Sequence, residues 1–418
     1  MRGVLTAVQR SCRRPAIAAL VMTAVAFTLI TRPVEAGSAI TGYPNAMAAT
    51  GDSITRAHQT CPVPGTDCPA NSWSTGTNST VDSHYLRILA ANALINGNNF
   101  NDAVSGAKMA ALNSQVQAAV SQHVSYITIL MGANDVCASS AATMTDVTTY
   151  AGEFQTAMNT VTAGLPDARI FVASIPDIYN LWQILYTNPT ATTIWTNYGI
   201  CQSMLANPTS MAQADVDRRA FVRQRNIDFN TQLQQICAQY IHCRYDNNAV
   251  FNTAFAPADV STVDYFHPSV AGQALGASAS WGATFDFTDT TPPVVTAAAV
   301  SVTGGITVTL SATDNVGVSG IEYNSNAGPW TRYTAPVFVP TGSSIIVRAV
   351  DVNGNSGATQ LITAANAVGG IADVPNLATL PSHAPSAGSE RFIVLGTAII
   401  SLLALSLAGL WSHGRRRA

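Results

Sequence analysis

The sequence predicts a three-layer α/β/α fold on a doubly wound parallel sheet, followed by an all-β segment and one apolar helix. Three observations predict it. Short apolar runs ending in Gly, Ser or Asn alternate with longer helix-like stretches over residues 37–288. After Asp289-Thr290-Thr291-Pro292-Pro293 the helical patterns stop, and brief strand-like runs are separated by Gly, Asn, Asp and Pro. Near the C-terminus, 392–411 holds about twenty residues without a charge, the length that spans a bilayer core.

Each parallel strand is expected where an apolar run meets a turn. Residues 46–50 run into Gly51-Asp52-Ser53, 100–104 into Ser105-Gly106 and 124–131 into Gly132-Ala133-Asn134. Residues 169–174 run into Ile175-Pro176-Asp177, and 241–245 make a fifth strand. Helices are expected at 84–93, 107–123, 145–165 and 215–240. This alternation gives a parallel sheet covered by helices. Such sheets bind ligands at the carboxyl ends of their strands, where Ser53, Gly106 and Asn134 fall. Residues 177–212 are aromatic and poorly periodic, with Trp182, Tyr186 and Trp195 among them. They read either as a helical insertion packed on the core or as an apolar wall for an acyl chain. Trp73 offers a similar wall after the first turn.

Beyond the boundary, short strands are expected at 300–302, 306–312, 320–323, 330–333, 337–339 and 344–350. The domain ends at 365, and residues 366–390, rich in Ala, Gly, Ser and Pro, form a flexible linker. At the N-terminus, Arg2, Arg10, Arg13 and Arg14 precede an apolar stretch over 16–30 and then Val34-Glu35-Ala36. Residues 1–36 therefore read as a secretory signal. At the other end, a transmembrane helix is expected at 391–412, and 413–418, with Arg415-Arg416-Arg417, forms a basic cytoplasmic tail. The expected product is exported and anchored to the cell membrane, with the 37–288 domain outside. Leu380-Pro381-Ser382-His383-Ala384 departs from the LPxTG pattern of sortase substrates.

The net charge of −3 argues against a nucleic-acid partner. A monomer is expected. Of seven cysteines, Cys12 lies in the signal. The six others, Cys61, Cys68, Cys137, Cys201, Cys237 and Cys243, all fall in the 37–288 domain. An even count in an exported chain points to disulfides, although six cysteines allow fifteen pairings. Close spacing favours Cys61–Cys68 and Cys237–Cys243, which leaves Cys137–Cys201. No CxxC or HExxH spacing is present, so no metal is expected. His58, His84, His123 and His242 read as surface or satisfied histidines.

The chemistry concentrates in four blocks. Gly51-Asp52-Ser53-Ile54-Thr55 supplies a serine, and Asp264-Tyr265-Phe266-His267-Pro268-Ser269 supplies a carboxylate and an imidazole. A serine hydroxyl needs a base to take its proton, and the base needs a partner that holds its ring. The order Ser, Asp, His is one of the known linear orders of a hydrolytic triad. Gly106 N–H, Ser53 N–H and the Asn134 side-chain amide are candidate donors to an oxyanion. Asp52 and Asp135 read as positioning groups.

These four blocks, GDSIT, Gly106, GAND and DYFHPS, resemble the GDSL/SGNH hydrolase superfamily over roughly 44–285. The resemblance implies a flavodoxin-like sheet and ester hydrolysis through an acyl-enzyme, without a cofactor. It assigns Ser53, Asp264 and His267 as catalytic, and Ser53, Gly106 and Asn134 as the oxyanion hole. Thr291-Pro292-Pro293, Trp330-Thr331-Arg332-Tyr333 and the Arg348–Asn355 stretch resemble a bacterial Ig-like repeat, which implies a β-sandwich spacer or binding module. Its Asp and Asn residues read as turn formers. The expected activity is that of a lipase- or phospholipase-like esterase. A carbohydrate O-acetylesterase is the alternative, and a non-catalytic surface binding protein is the rival from another class.

Overall fold

The computed structural model describes residues 41–325 and 328–365. Its first part carries strands β1 (Met47–Gly51), β2 (Asn99–Asn101), β3 (Tyr126–Leu130), β4 (Arg169–Val172) and β5 (Cys243–Tyr245). Among them run helices α1 (His84–Ala91), α2 (Leu112–Ser121), α3 (Ala133–Val136), α4 (Val147–Gly164), α5 (Ile178–Leu185), α6 (Pro189–Tyr198), α7 (Gln202–Leu205) and α8 (Gln213–Cys237), with α9 (Val270–Trp281) after β5. The sheet is parallel throughout, in the order β2-β1-β3-β4-β5. That is the flavodoxin-like doubly wound order.

The strand period of two builds both cores. From β3 and β4, Ile127, Ile129, Ile170 and Val172 enter one apolar cluster with residues of α2, α4 and α8. Tyr126, Leu130 and Phe171 enter the other, with Ile88 of α1 and Ala277 of α9. The helices start where short polar side chains can accept their free N–H groups. Ser83 caps α1, Asp146 caps α4 and Ser269 caps α9.

The insertion after β4 is helical. Trp182 and Trp195 are buried in the core. Their indole N–H groups donate to Pro208 O at 2.8 Å and Tyr265 O at 2.9 Å. Ile178, Leu181 and Ile184 turn to an open cleft. The segment is thus both insertion and wall. Trp73 is buried in the second core, with its indole N–H on Thr55 Oγ1 at 3.2 Å. It is a packing residue behind the first turn.

The second part is antiparallel. Strands β6 (Val294–Val302), β7 (Gly305–Thr313), β8 (Val318–Ser325), β9 (Thr331–Arg332), β10 (Val337–Pro340), β11 (Ser344–Asp351) and β12 (Gln360–Thr363) form two sheets, β10-β7-β6 and β12-β11-β8-β9. Val308, Leu310 and Val339 of one meet Ile345, Val347 and Ile362 of the other in a shared core. Polar contacts tie this part to the parallel sheet. Buried Arg169 of β4 donates to Gly42 O at 2.6 Å and Asn355 Oδ1 at 2.8 Å. Arg348 of β11 pairs with Glu322 and Asp167, and its guanidinium lies 4.1 Å from the Trp330 ring centroid.

The expected transmembrane helix is not part of this fold. No helix among the described residues is long and apolar enough to cross a membrane. The longest, α8, carries charges throughout, from Asp215 and Asp217 to Arg225 and Asp228. Residues 391–412, like the signal segment 1–36, the linker 366–390 and the tail 413–418, lie outside the described residues. Attachment to a membrane through a C-terminal helix is therefore not supported.

The first core is anchored by the Tyr150–Phe229 stack, with ring centroids 3.9 Å apart and both residues fully buried. Phe229→Ala should lower unfolding free energy by about 3–5 kcal/mol, the usual cost of emptying a buried aromatic site. Urea unfolding followed by tryptophan fluorescence measures it.

Candidate active site

The end of β1 delivers Ser53 to the carboxyl edge of the sheet. Gly51 sits at φ +149°, and a Cβ there would lie 2.3 Å from Leu130 O, so glycine is required where this turn passes β3. Gln115, buried on α2, accepts Gly51 N–H at 2.7 Å and donates to Gly51 O at 2.9 Å. Gln273, buried on α9, donates to Ile54 O at 2.8 Å and accepts Trp73 N–H at 2.9 Å. The turn is thus gripped from both faces of the sheet. Gln115 carries no sequence signal beyond its place in the helix expected over 107–123, and Gln273 carries none.

His267 and Asp264 come from the loop before α9. Asp264 Oδ1 accepts the N–H groups of Phe266 at 2.9 Å and His267 at 3.1 Å. Tyr265 between them is left-handed, at φ +54°, a conformation that costs a non-glycine residue energy and needs support. Trp195 supplies part of that support through its bond to Tyr265 O. Ser261 N–H donates to His267 O at 2.8 Å. His267 Nδ1 lies 2.6 Å from Asp264 Oδ2, and His267 Nε2 lies 2.8 Å from Ser53 Oγ. Burial works to raise the Asp264 carboxyl, but the bonds and charge of His267 outweigh it and hold Asp264 below its ordinary value. An ionised Asp264 accepts from Nδ1–H and leaves Nε2 free to accept from Ser53 Oγ.

The candidate oxyanion donors stand on neighbouring strand ends. Ser53 N–H and Gly106 N–H have no acceptor among the described residues. Gly106 sits at φ +80° in an exposed turn. The Asn134 amide spends one N–H on Ala107 O at 2.9 Å, which leaves the second free. Asp135 is fully buried and braces the same region, accepting Met109 N–H at 2.9 Å and the Thr145 hydroxyl at 2.7 Å.

An apolar cleft opens beside His267, lined by Ile54, Pro176, Ile178, Leu181, Ile184, Phe255 and Phe266 among others. A smaller apolar cavity shares Ile54, Pro176, Phe255 and Pro268 with it and reaches Trp73 and Leu130.

The other histidines divide. His84 is fully buried between Tyr126 Oη at 2.8 Å and Ser280 Oγ at 2.9 Å. Burial lowers its pKa to about 3, so it is a neutral packing group. His242 is buried 3.7 Å from Glu322. His58 differs. Its ring stands edge-on to His267 with centroids 4.8 Å apart, and its Nδ1 lies 2.8 Å from Asp67 Oδ1. Sequence spacing alone gave no sign of this pair.

The six cysteines among the described residues are all paired, as Cys61–Cys68, Cys137–Cys201 and Cys237–Cys243. Among the described residues, one acidic group, Asp289, Asp314 and Asp351, brings carboxylate oxygens within 4.8 Å of one another. Asp351 accepts the N–H groups of Asn353 and Asn355, both at 2.8 Å, and Asp314 accepts those of Val316 at 2.9 Å and Gly317 at 3.1 Å. These carboxylates shape turns remote in sequence from Ser53 and His267.

Asp52 is fully buried, and its Oδ1 accepts Ile54 N–H at 2.9 Å while Oδ2 has no partner. Burial raises its pKa from 3.8 to about 7, against the pull of the Ile54 bond and with the help of the Asp135 charge. The folded state therefore keeps a proton that the unfolded chain releases, and stability drains away as pH climbs from about 4 to about 7. Asp52→Asn should remove that loss. Its stability relative to the parent should rise across this window and level off above it, as read from urea midpoints at several pH values.

The family profile described as GDSL-like Lipase/Acylhydrolase matches residues 47–280, more than half of the chain. No curated protein matches. Among solved structures, phospholipase A1 from Streptomyces albidoflavus is similar at 17% identity and TM-score 0.34, over 58% of this chain and 99% of that one. The esterase EstA from Pseudoalteromonas is similar at 14% identity and TM-score 0.34, over 57% of this chain and 96% of that one. A GDSL-like lipase from Parabacteroides merdae aligns at 16% identity and TM-score 0.35, over 58% and 97%. With the family profile covering the sheet and every candidate strand-end residue, the chain belongs to the GDSL-like lipase/acylhydrolase family and is a serine ester hydrolase.

Proposed function

We propose that the protein hydrolyses carboxylic esters of apolar acyl chains through a Ser53–His267–Asp264 triad. The observation that carries this reading is the continuous line of hydrogen bonds from Ser53 Oγ through the His267 ring to Asp264. Ser53 Oγ attacks the ester carbonyl carbon while His267 Nε2 takes its proton. Asp264 holds the tautomer and stabilises the imidazolium. The carbonyl oxygen, now negative, is received by Ser53 N–H, Gly106 N–H and the free N–H of Asn134. Collapse of the tetrahedral intermediate expels the alcohol, which takes the proton from His267. Water, deprotonated by His267, then attacks the acyl-enzyme, and the acid leaves as the Ser53 Oγ–acyl bond breaks and His267 returns the proton to Ser53 Oγ.

The apolar cleft beside His267 supports a lipase-like substrate over an acetylated carbohydrate, because it offers a long acyl chain dry walls. The three disulfides support export to an oxidising compartment. The two antiparallel sheets support the reading of 289–365 as an Ig-like module.

Ser53→Ala and His267→Ala should each lower turnover of a p-nitrophenyl ester by several orders of magnitude, with Asp264→Ala costing less. Near-parental activity in Ser53→Ala would refute the triad. The acyl preference is tested with p-nitrophenyl esters of rising chain length. Each methylene buried is worth about 0.8 kcal/mol, so the four that separate hexanoyl from acetyl should raise kcat/KM by up to about 200-fold. Leu181→Trp, which fills the cleft, should erase that preference. A parent that favours acetyl esters, acetylated xylan above all, would be an O-acetylesterase instead.

A further inference from the structure

The Asp67 carboxylate touches neither Ser53 nor the oxyanion donors, yet it gathers three donors that border both. His58 Nδ1 lies 2.8 Å from Oδ1, Ser105 Oγ donates to the same oxygen at 2.6 Å, and Arg56 Nε donates to Oδ2 at 3.2 Å. Ser105 immediately precedes Gly106, the strand-end donor with a left-handed φ and an exposed turn. His58 stands edge-on to His267, and its own N–H donates to Ser53 O at 3.0 Å. Asp67 therefore bonds directly to Ser105 of the Gly106 turn and to the His58 ring, and reaches Gly106 and His267 through them.

The loop that presents Asp67 is itself fixed. The Cys61–Cys68 bridge closes it. Gln59 N–H donates to Thr66 O and Cys68 N–H to Arg56 O, both at 3.1 Å. Burial works to raise the Asp67 carboxyl, but the Ser105, His58 and Arg56 bonds prevail and hold it below its ordinary value, so it accepts as an anion. Charge-assisted bonds of this kind are short and directional.

We infer that Asp67 is a positioning residue that braces the Gly106 oxyanion donor through Ser105 and the His267 ring through His58. This inference rests on the triad and oxyanion roles proposed above. Among the described residues, the Ser105 side chain makes no other bond, so removing the Ser105–Asp67 bond lets the Gly106 N–H drift from where the oxyanion develops. Misplaced donors cost the transition state more than the ground state. The loss should therefore fall on kcat and leave KM close to the parental value.

The test is a double-mutant cycle on the full-length protein with a p-nitrophenyl ester, run beside Ser53→Ala. Ser105 is exposed, so Ser105→Ala should fold normally even where Asp67→Ala does not. Ser105→Ala should lower kcat about three- to tenfold with KM unchanged, and Ser105→Thr, which keeps the hydroxyl, should restore most of it. Asp67→Ala should lower kcat further, and adding Ser105→Ala to it should change nothing more. The inference is overturned if Ser105→Ala stays within about twofold of the parent in kcat, if the loss lies in KM, or if the two changes act additively. It is also overturned if Ser105→Thr loses as much as Ser105→Ala. If Ser53→Ala keeps its activity, the triad reading fails instead, and the two failures are told apart.

Discussion

The bond between His267 Nε2 and Ser53 Oγ joins residues 214 positions apart, and most of the first part of the molecule serves its closure. The serine rides on the end of β1 and the histidine on the loop before α9. Neither loop has a regular ladder to hold it, so each is fixed by buried polar side chains. Gln115 and Gln273 hold the first turn, and Asp264 and Trp195 hold the second, helped by the backbone N–H of Ser261. Gln273 links the two directly, because α9, which follows His267, carries the glutamine that grips Ile54. The parallel sheet matters here because it aligns the strand ends that carry Ser53, Gly106 and Asn134 on one edge.

Three buried carboxylates near this edge show how environment sets role. Asp264 has a cationic partner when His267 is protonated and two backbone donors, and it stays ionised against its burial. Asp52 has one backbone donor and an unpartnered oxygen, and burial pushes it up to about 7. Asp135 lies between them in satisfaction, with two donors, and burial still raises it. The residue type is the same in each case. The count of donors and the distance to a cation separate the acceptor of the His267 imidazole from two structural braces.

Much of this was legible in the sequence where periodicity or residue chemistry leaves a mark. The β1, β3 and β4 strands were readable because alternating apolar residues serve two cores, and the local disulfides because of short spacing. α9 was not foreseen, since its Ala, Gly and Ser residues give no apolar stripe. β12 was missed because its two apolar residues are flanked by polar ones, and the first half of β6 because its alanines carry little strand preference. Trp73 read as a substrate wall because an aromatic in a loop looks exposed, and only the fold shows it packed under the turn. The expected membrane helix has no counterpart among the described helices. His58 and Asp67 stayed hidden because their meaning lies in a loop that folds back through a disulfide, which spacing alone does not encode.

The central claim is that Ser53 carries the acyl group between two half-reactions. The most direct measurement is rapid mixing of the protein with a p-nitrophenyl ester, followed by acid quenching and peptide mapping by mass spectrometry. The account predicts an acyl group on the peptide that contains Ser53, formed with the first release of p-nitrophenol. An acyl group on any other side chain would contradict it.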